Sequence, residues 1–450
     1  MAGRTVETVV DSGIPGVSAP AITDGSPAHR SADARSPGMV TSSRRPRAVS
    51  RRRRSRARRR VGSLEPMTSL ARRVSRAARR EYFSALTLTV GVAAALVWSA
   101  ASPSTYFTLD SDHVAWSLAN YLQVGTAHDL VVNGLMAVFF AAVGLELSRE
   151  LTRGVLTTRD YAVSPVIGAL GGMAATALSS VALGHLLGRA ALVRGWGVPM
   201  ATDVAFSLGV VALVGRHLPP ALRTFLLTLA IADDVASIVV LTVTGTTHLR
   251  PVGLAVLVVV VVTGTPLVRR LDRAGPAVAL AGATWLGFAW ANVDPALAGV
   301  LAGGLVNTGS LWCDRLEQRT TLVSATFVLP LFALAASGVA WRNLSGPTTL
   351  SLVLATVAIR LVGKVVGITG GVGLARLAGY RPHPSLSTRL VVEVSVVCAI
   401  GFTVPLLFAG ALFGAASSTY AALDLGLLAS SVAAALLGAW LLHRSDRSLG

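Results

Sequence analysis

Long apolar segments alternate with short polar ones along the chain from residue 82 onward. A run of about 20 apolar residues is long enough to cross a bilayer as a helix. Glycine, proline and charged clusters separate these runs, and the pattern predicts twelve membrane-spanning helices. They cover residues 82–101, 130–147, 163–187, 199–215, 220–244, 251–268, 275–293, 296–310, 321–341, 349–373, 386–413 and 421–443.

The composition agrees with this pattern. Hydrophobic residues make up 52% of the 450 residues and charged residues only 14%, which is too apolar for a soluble protein. We therefore predict an all-α polytopic membrane protein. Its transmembrane domain should cover residues 81–443, and a short C-terminal tail should follow at 444–450.

The first 80 residues have a different character, because they contain 19 of the 39 arginines together with serine, proline and glycine. Such a composition predicts a disordered tail. Arginine-rich arms can bind nucleic acid. A basic flank beside an apolar span more often lies against anionic lipid and fixes the topology. We therefore expect anionic lipid, and not nucleic acid, as the partner of this tail.

Arginine is distributed unequally between the two sets of predicted loops. The loops on the side of the N-terminus contain thirteen arginines and the opposite loops contain four. Cytoplasmic loops carry the excess of positive charge in membrane proteins. Both termini are therefore expected to be cytoplasmic.

Two triplets of spans have opposite predicted topology, 163–187 with its two successors and 349–373 with its two successors. The middle span of each triplet is interrupted by glycine and proline. Paired interrupted segments in corresponding positions are typical of transporters built from inverted repeats, with a site at the membrane midplane. The pattern therefore predicts two inverted three-helix repeats whose interrupted helices cross.

Two adjacent acids, Asp233 and Asp234, lie inside the span "LTLAIADDVASIVVLTV". Ionisable groups inside spans line cavities or pair with each other, because they are costly in lipid. Neighbours on a helix point about 100° apart, so we expect one acid to face an aqueous cavity and the other a neighbouring helix. The alternative is that both only make hydrogen bonds between helices.

Thr202 and Asp203 occur in "VPMATDVAFSLG", where proline and glycine predict an interrupted helix. Exposed carbonyls and helix ends at such a break need a compensating charge or a bound ion. The alternative is that one of these side chains caps a helix near the interface.

Lys364 is the only lysine in the chain, which otherwise uses arginine for every cation. A desolvated lysine can lose its proton, whereas arginine cannot. A titratable cation is therefore expected at this depth. The alternative is a side chain that reaches the interface, but the nearer end of the span is about 13 Å away at 1.5 Å per residue.

Arg360 lies one turn before Lys364, and Glu393 lies in the following span. Two cations on one helical face need an acid between or beside them. We predict an intramembrane Arg360–Glu393 pair, which would leave Lys364 free for Asp233. The alternative is a direct contact between Glu393 and Lys364.

The motifs "NGLMAVFFAAVGLELSRE", "ATDVAFSLGVVALVG", "LAIADDVASI", "VLPLFALAASGV", "GKVVGI" and "CAIGFTV" resemble those of NhaA sodium/proton antiporters, in the same order and across almost all of 82–443. The resemblance implies that Asp233 and Asp234 form the sodium site, with Asp234 as principal ligand. It also implies that Asp203 and Lys364 balance the crossing helices, that Lys364 pairs with Asp233, that Thr202 contributes polar atoms, and that the protein forms a homodimer.

The resemblance further implies a cytoplasmic funnel involved in the pH response. The matching charged residues are Glu146, Arg149, Glu150 and Glu317. Three positions depart from the family pattern: Val132-Asn133 lacks an acid, Asp294 replaces a histidine, and Gln318 replaces a histidine of one well-known member. These departures put the pH response in question and leave the exchange chemistry intact.

The predicted function is secondary active transport in a bacterial cell membrane. Cytoplasmic Na⁺, and also Li⁺, would be exchanged electrogenically for external H⁺, with sodium extrusion and pH homeostasis as the roles. No enzyme activity and no cofactor are expected. The alternatives are a sodium-coupled symporter and an intramembrane aspartyl protease, although the adjacency of Asp233 and Asp234 argues against a protease, whose two acids lie on different helices.

Overall fold

The computed structural model describes residues 83–449 apart from 112, 119–121, 127, 129, 154–158, 216, 246–249, 307–310, 342–343, 345 and 415–416. The predicted arginine-rich tail at 1–80 lies outside these residues. Helices form most of the described part, and this confirms the helical class of a multi-pass membrane protein.

Fifteen helices are described, and nine of them are long and apolar enough to cross a membrane. In chain order they are α1 (Phe83–Ala101), α2 (Pro103–Ser111), α3 (Leu130–Arg153), α4 (Arg159–Leu186), α5 (Ala190–Arg194), α6 (Val204–Val214), α7 (Pro220–Gly245), α8 (Pro251–Leu271), α9 (Ala274–Ala291), α10 (Pro295–Leu305), α11 (Trp312–Ala336), α12 (Pro347–Leu377), α13 (Thr388–Val397), α14 (Thr403–Phe413) and α15 (Ser418–Leu449).

A short β-hairpin lies between α2 and α3, where the hydrophobic pattern predicts no element. Strand β1 (His113–Leu118) pairs antiparallel with β2 (Leu122–Thr126), and Trp116 lies opposite Val124. Each strand is only five or six residues long, which is too short for the pattern of a membrane span.

The interrupted spans differ in form from each other. The predicted span 199–215 is wrong at its start, because helix α6 begins only at Val204 and turns precede it. The predicted span 386–413 is two helices, α13 and α14, separated by the non-helical residues 398–402. Proline and glycine disfavour regular helix in both segments.

The last helix is longer than predicted. Helix α15 continues from Ser418 to Leu449 and therefore includes residues 444–449, which lie after the predicted span 421–443. Its last residues are polar, and a polar extension of this kind is compatible with a helix that emerges from the membrane.

Helices α4 and α12 pack with their backbones in very close contact. A Cβ atom built on Gly367 would lie 2.6 Å from Ala175 Cβ and would also collide with the carbonyl oxygen of Gly171. A Cβ atom on Gly371 would lie 2.5 Å from the carbonyl oxygen of Ile167. Glycines allow such close approach in membranes, where packing replaces the hydrophobic effect between helices. The contact fixes the part of α12 that carries Lys364.

We expect Gly367→Leu to lower the thermal midpoint and the yield of folded protein, because the added side chain must separate the two backbones. Overpacking of this kind costs about 1–3 kcal/mol or more. Gly370→Leu is the matched control, since nothing lies within 4 Å of a Cβ atom at Gly370 on the same helix. Equal behaviour of the two variants in fluorescence-detected size exclusion with heating would contradict the close packing.

Candidate functional site

Two non-helical segments contact each other in the interior. The first break, residues 199–203, precedes α6, and the second break, residues 398–402, separates α13 from α14. The Asp203 N–H donates to the carbonyl oxygen of Ile400 at 2.8 Å, and Thr202 Oγ1 donates to that of Cys398 at 2.8 Å. Each break therefore satisfies some of the backbone groups that the other leaves without helical partners.

Arg360 joins the two breaks from a third helix. It is fully buried and lies in a π-helical turn, Ile359–Gly363, directly before Lys364. Its Nη1 and Nη2 donate to the carbonyl oxygens of Pro199 and Ala201, both at 2.9 Å, and its Nε donates to that of Ala399 at 3.0 Å. The planar guanidinium thus holds three carbonyl groups that the helix interruptions expose.

The predicted Arg360–Glu393 pair is therefore wrong. Arg389 Nε donates to Glu393 Oε1 at 2.8 Å, and Ser445 Oγ donates to the same oxygen at 2.7 Å. Arg389 and Glu393 are four residues apart on α13, a spacing that places two side chains on one helical face. The alternative contact between Glu393 and Lys364 is also not formed in the described structure.

Asp203 caps α6, as the alternative interpretation of its sequence proposed. Its Oδ1 accepts from the Phe206 N–H at 3.0 Å, in the usual geometry of an N-cap. Its Oδ2 accepts from the backbone N–H of Thr403 at 3.4 Å and from Thr403 Oγ1 at 3.2 Å. The same carboxylate therefore starts α6 and holds the first residue of α14.

Lys364 and Asp233 form a fully buried ion pair between α12 and α7. Lys364 Nζ lies 2.8 Å from both carboxylate oxygens of Asp233. The Thr202 N–H from the first break also donates to Asp233 Oδ2, at 2.6 Å. Asp233 is thus tied both to the lysine and to the break.

Asp234, the other member of the acid pair, has a different environment. Only 3% of its surface is exposed, and within the described residues its Oδ1 has no hydrogen-bond partner. A buried ionised oxygen without a donor is strongly unfavourable unless it binds a cation or a proton. The two adjacent acids therefore differ in kind, one paired and the other with an oxygen available for a ligand.

The four charged residues of the predicted funnel come together where α3 meets α11. Arg149 contacts Glu317 through Nη1, and its Nη2 lies 3.3 Å from Glu150 Oε1 and 3.7 Å from Glu146 Oε1. One arginine thus contacts three carboxylates, so protonation of any one of them changes the net charge of the cluster and weakens one ion pair of Arg149.

Asp294 lies between α9 and α10, outside the candidate spans. Its Oδ1 accepts from the Ala296 N–H at 2.9 Å, and this bond caps the first turn of α10. Desolvation in this partly buried position raises the pKa of Asp294 to about 6, against the smaller lowering effect of the hydrogen bond. This carboxyl group therefore changes charge close to neutral pH.

Asp424 is a buried acid that the sequence-based reasoning missed. It lies in α15, its side chain is fully buried, and neither carboxylate oxygen has a hydrogen-bond partner within the described ranges. The sequence signal was weak, because an acid three residues into the predicted span 421–443 resembles an interfacial residue.

Comparison with known proteins places these residues in a family. The family profile described as "Na+/H+ antiporter 1" matches residues 75–442. A protein of Kineococcus radiotolerans named "Na(+)/H(+) antiporter NhaA 1" is 35% identical over 397 residues, which cover 84% of this chain and 91% of that protein.

Two further relatives carry the name "Na(+)/H(+) antiporter NhaA 2". The protein of Rhodococcus jostii is 38% identical over 376 residues, covering 80% of this chain and 90% of its own length. The protein of Novosphingobium aromaticivorans is 37% identical over 336 residues, covering 72% of this chain and 84% of its own. The similarity therefore extends over the whole helical region and is not confined to a few motifs.

Arg360→Lys should destabilise the fold, because a lysine ammonium on a flexible stem cannot replace three planar donors. The loss of two charged hydrogen bonds corresponds to about 3–6 kcal/mol. Arg389→Lys is the control, since the Arg389 side chain is 62% exposed and lysine keeps the charge beside Glu393. Thermal midpoints of the purified variants compare the two changes, and a shift for Arg360→Lys as small as the control's would contradict the role of the guanidinium.

Asp294→Asn should raise the thermal midpoint in neutral and alkaline buffer but not in acid. The pKa of Asp294 is raised in the folded state, so the folded protein loses stability as the pH rises from about 4 to about 6. Asparagine keeps the cap and has no charge to desolvate. Midpoints of both proteins measured from about pH 4 to pH 8 should coincide at the acid end and separate toward pH 8. A difference between the two thermal midpoints that stays the same from pH 4 to pH 8 would contradict the raised pKa of Asp294.

Proposed function

Because the chain belongs to the Na⁺/H⁺ antiporter 1 family, we propose that it exchanges Na⁺ for H⁺ across a bacterial cell membrane. As a member of this family it is a transporter and not an enzyme. The observation that carries the proposal is the arrangement of the two acids, with Asp233 bound to Lys364 and Asp234 beside it with an oxygen available.

Asp234 is the principal sodium ligand in this proposal, and Asp233 is the second. Hard cations such as Na⁺ bind oxygen, and ionised carboxylates supply it with compensating charge. Thr202 lies within the first break and donates its N–H to Asp233, and Asp203 and Lys364 balance the charges around the interrupted helices. No cofactor is required, because the transported ions are themselves the reactants.

The charges of the buried groups support competition between the two ions. The three acids Asp203, Asp233 and Asp234, with the two bases Arg360 and Lys364, leave one negative charge when all are ionised. One Na⁺ or one H⁺ neutralises that charge. Both ions together would leave a buried positive charge, so each should exclude the other.

Lys364 makes an electrogenic exchange possible. Arg360 keeps its proton under all ordinary conditions, whereas a buried lysine can release one. When Na⁺ binds between the two acids it weakens the attraction of Asp233 for the ammonium group. If Lys364 and Asp234 each release a proton when one Na⁺ binds, one Na⁺ exchanges for two H⁺, the buried groups carry one negative charge with Na⁺ bound, and the membrane potential drives the cycle.

The rest of the proposal concerns architecture and setting. Twelve crossings arranged as two inverted repeats, with both termini cytoplasmic, would allow one bundle to rock against the other around the breaks. Transport of Li⁺ as well as Na⁺, sodium extrusion and pH homeostasis are the proposed roles. The Arg149 cluster responds to pH, anionic lipid binds the arginine-rich tail, and two copies form a homodimer.

Asp234→Asn should abolish sodium-evoked proton movement, because an amide can neither release a proton nor supply an anionic oxygen. The measurement is the fluorescence of a pH-sensitive dye in everted vesicles after addition of Na⁺ or Li⁺. We expect a signal at least a hundredfold below that of the unmodified protein.

Asp272→Asn is the matched control. Asp272 is an exposed aspartate in the left-handed conformation after α8, which asparagine also adopts readily, so this variant should retain normal exchange. Full activity of a normally inserted Asp234→Asn protein would remove Asp234 from the site. Sodium uptake by the unmodified protein without any proton movement would instead support a symporter and reject the proposed exchange.

A further inference from the structure

Asp424 is the buried acid that the proposed exchange does not use. It lies six residues after the start of α15, about 9 Å along the helix axis. Its side chain has no exposed surface, and neither of its carboxylate oxygens has a hydrogen-bond partner in the part of the chain that the structure describes. Such a group requires a ligand or a proton.

The surroundings of Asp424 are apolar on its own helix. The neighbouring Ala421, Ala422, Leu423 and Leu427 are all buried. An ionised carboxylate among such groups, without a donor, is strongly disfavoured, and the neutral form with its proton is the stable one. The position therefore favours a bound proton over an uncompensated charge.

The helical period shows which residues share the face of Asp424. Tyr420 and Ser431 lie within about 40° of its direction, from 100° per residue. The Tyr420 hydroxyl donates to the carbonyl oxygen of Ala336 at 2.7 Å. Ser431 Oγ lies 3.1 Å from both the nitrogen and the oxygen of Gly401, in the second break. This face therefore runs from Asp424 to the break that contacts Arg360 and Asp203.

A proton fits this position better than a sodium ion. Sodium requires several oxygen ligands at once, and within the described residues neither carboxylate oxygen of Asp424 has a polar partner that could share an ion with it. The Tyr420 hydroxyl is engaged with Ala336. A proton needs only one carboxylate oxygen, and Asp424 supplies it.

We propose that Asp424 is a second proton-binding site, separate from the Asp233 and Asp234 pair, which passes protons between the Ser418 end of α15 and the breaks. The carboxylate takes up a proton from water at that end and becomes a neutral acid. It then releases the proton toward Ser431 and the second break, where the central acids receive it. Ser431 is about 10 Å farther along the helix, a distance that no direct hydrogen bond covers, so the proposed transfer requires a water molecule between them. The proposal rests on the proposed exchange of Na⁺ for H⁺.

The test separates proton-coupled transport from sodium movement alone. Asp424→Asn and Asp424→Leu are reconstituted in liposomes beside the Asp272→Asn control. Proton movement is followed with an internal pH dye after a sodium jump, and sodium movement by exchange of radioactive sodium against unlabelled sodium at constant pH. We expect both variants to lose at least tenfold in proton movement and to keep sodium-for-sodium exchange within twofold.

Folding is measured in the same preparations, because removal of an unpartnered acid from apolar surroundings should not lower stability. We expect the thermal midpoint of Asp424→Leu to equal or exceed that of the unmodified protein. Loss of folding in both variants would show a structural role and overturn the inference. Unchanged proton movement in either folded variant, or equal loss of both transport modes, would also overturn it. Absence of sodium-evoked proton movement in the unmodified protein would reject the exchange itself.

Discussion

Backbone groups that leave a helix inside a membrane protein have no water to bind, and this constraint organises the centre of the molecule. Arg360 donates hydrogen bonds to three of these carbonyl groups, those of Pro199, Ala201 and Ala399. Asp203 accepts hydrogen bonds from N–H groups at the start of both α6 and α14. A cation thus binds the exposed carbonyls and an anion binds the exposed N–H groups, and both helix breaks are stabilised by both charges.

In the proposed exchange, this division leaves the other buried charges to bind the transported ions. Since Arg360 is occupied by carbonyl groups and Asp203 by N–H groups, neither has to change partners when an ion arrives. Lys364 and Asp233 have only each other and the Thr202 N–H as hydrogen-bond partners in the described structure. The close packing of α4 on α12 holds the backbone of the α12 segment that carries Lys364.

The sequence predicts the positions of the charges better than their partners. Glycine and proline indicate both breaks, and the single lysine indicates a titratable cation inside a span. These signals can be found because each is local in the sequence. The Arg360–Glu393 pair failed because depth along two helices does not say which faces meet, whereas the i, i+4 spacing of Arg389 and Glu393 was visible within one helix. Asp424 was missed because a single acid near the end of a span resembles an interfacial residue until its burial is known.

The single lysine has a further consequence for chemical labelling. Apart from the amino terminus, the ε-amino group of Lys364 is the only primary amine in the chain, and it is buried as an ammonium bound to Asp233. Acylating reagents attack only the free amine. Acylation of an amine within the helical domain therefore reports one event, the opening of this pair to solvent together with loss of the Lys364 proton, and requires no engineered label.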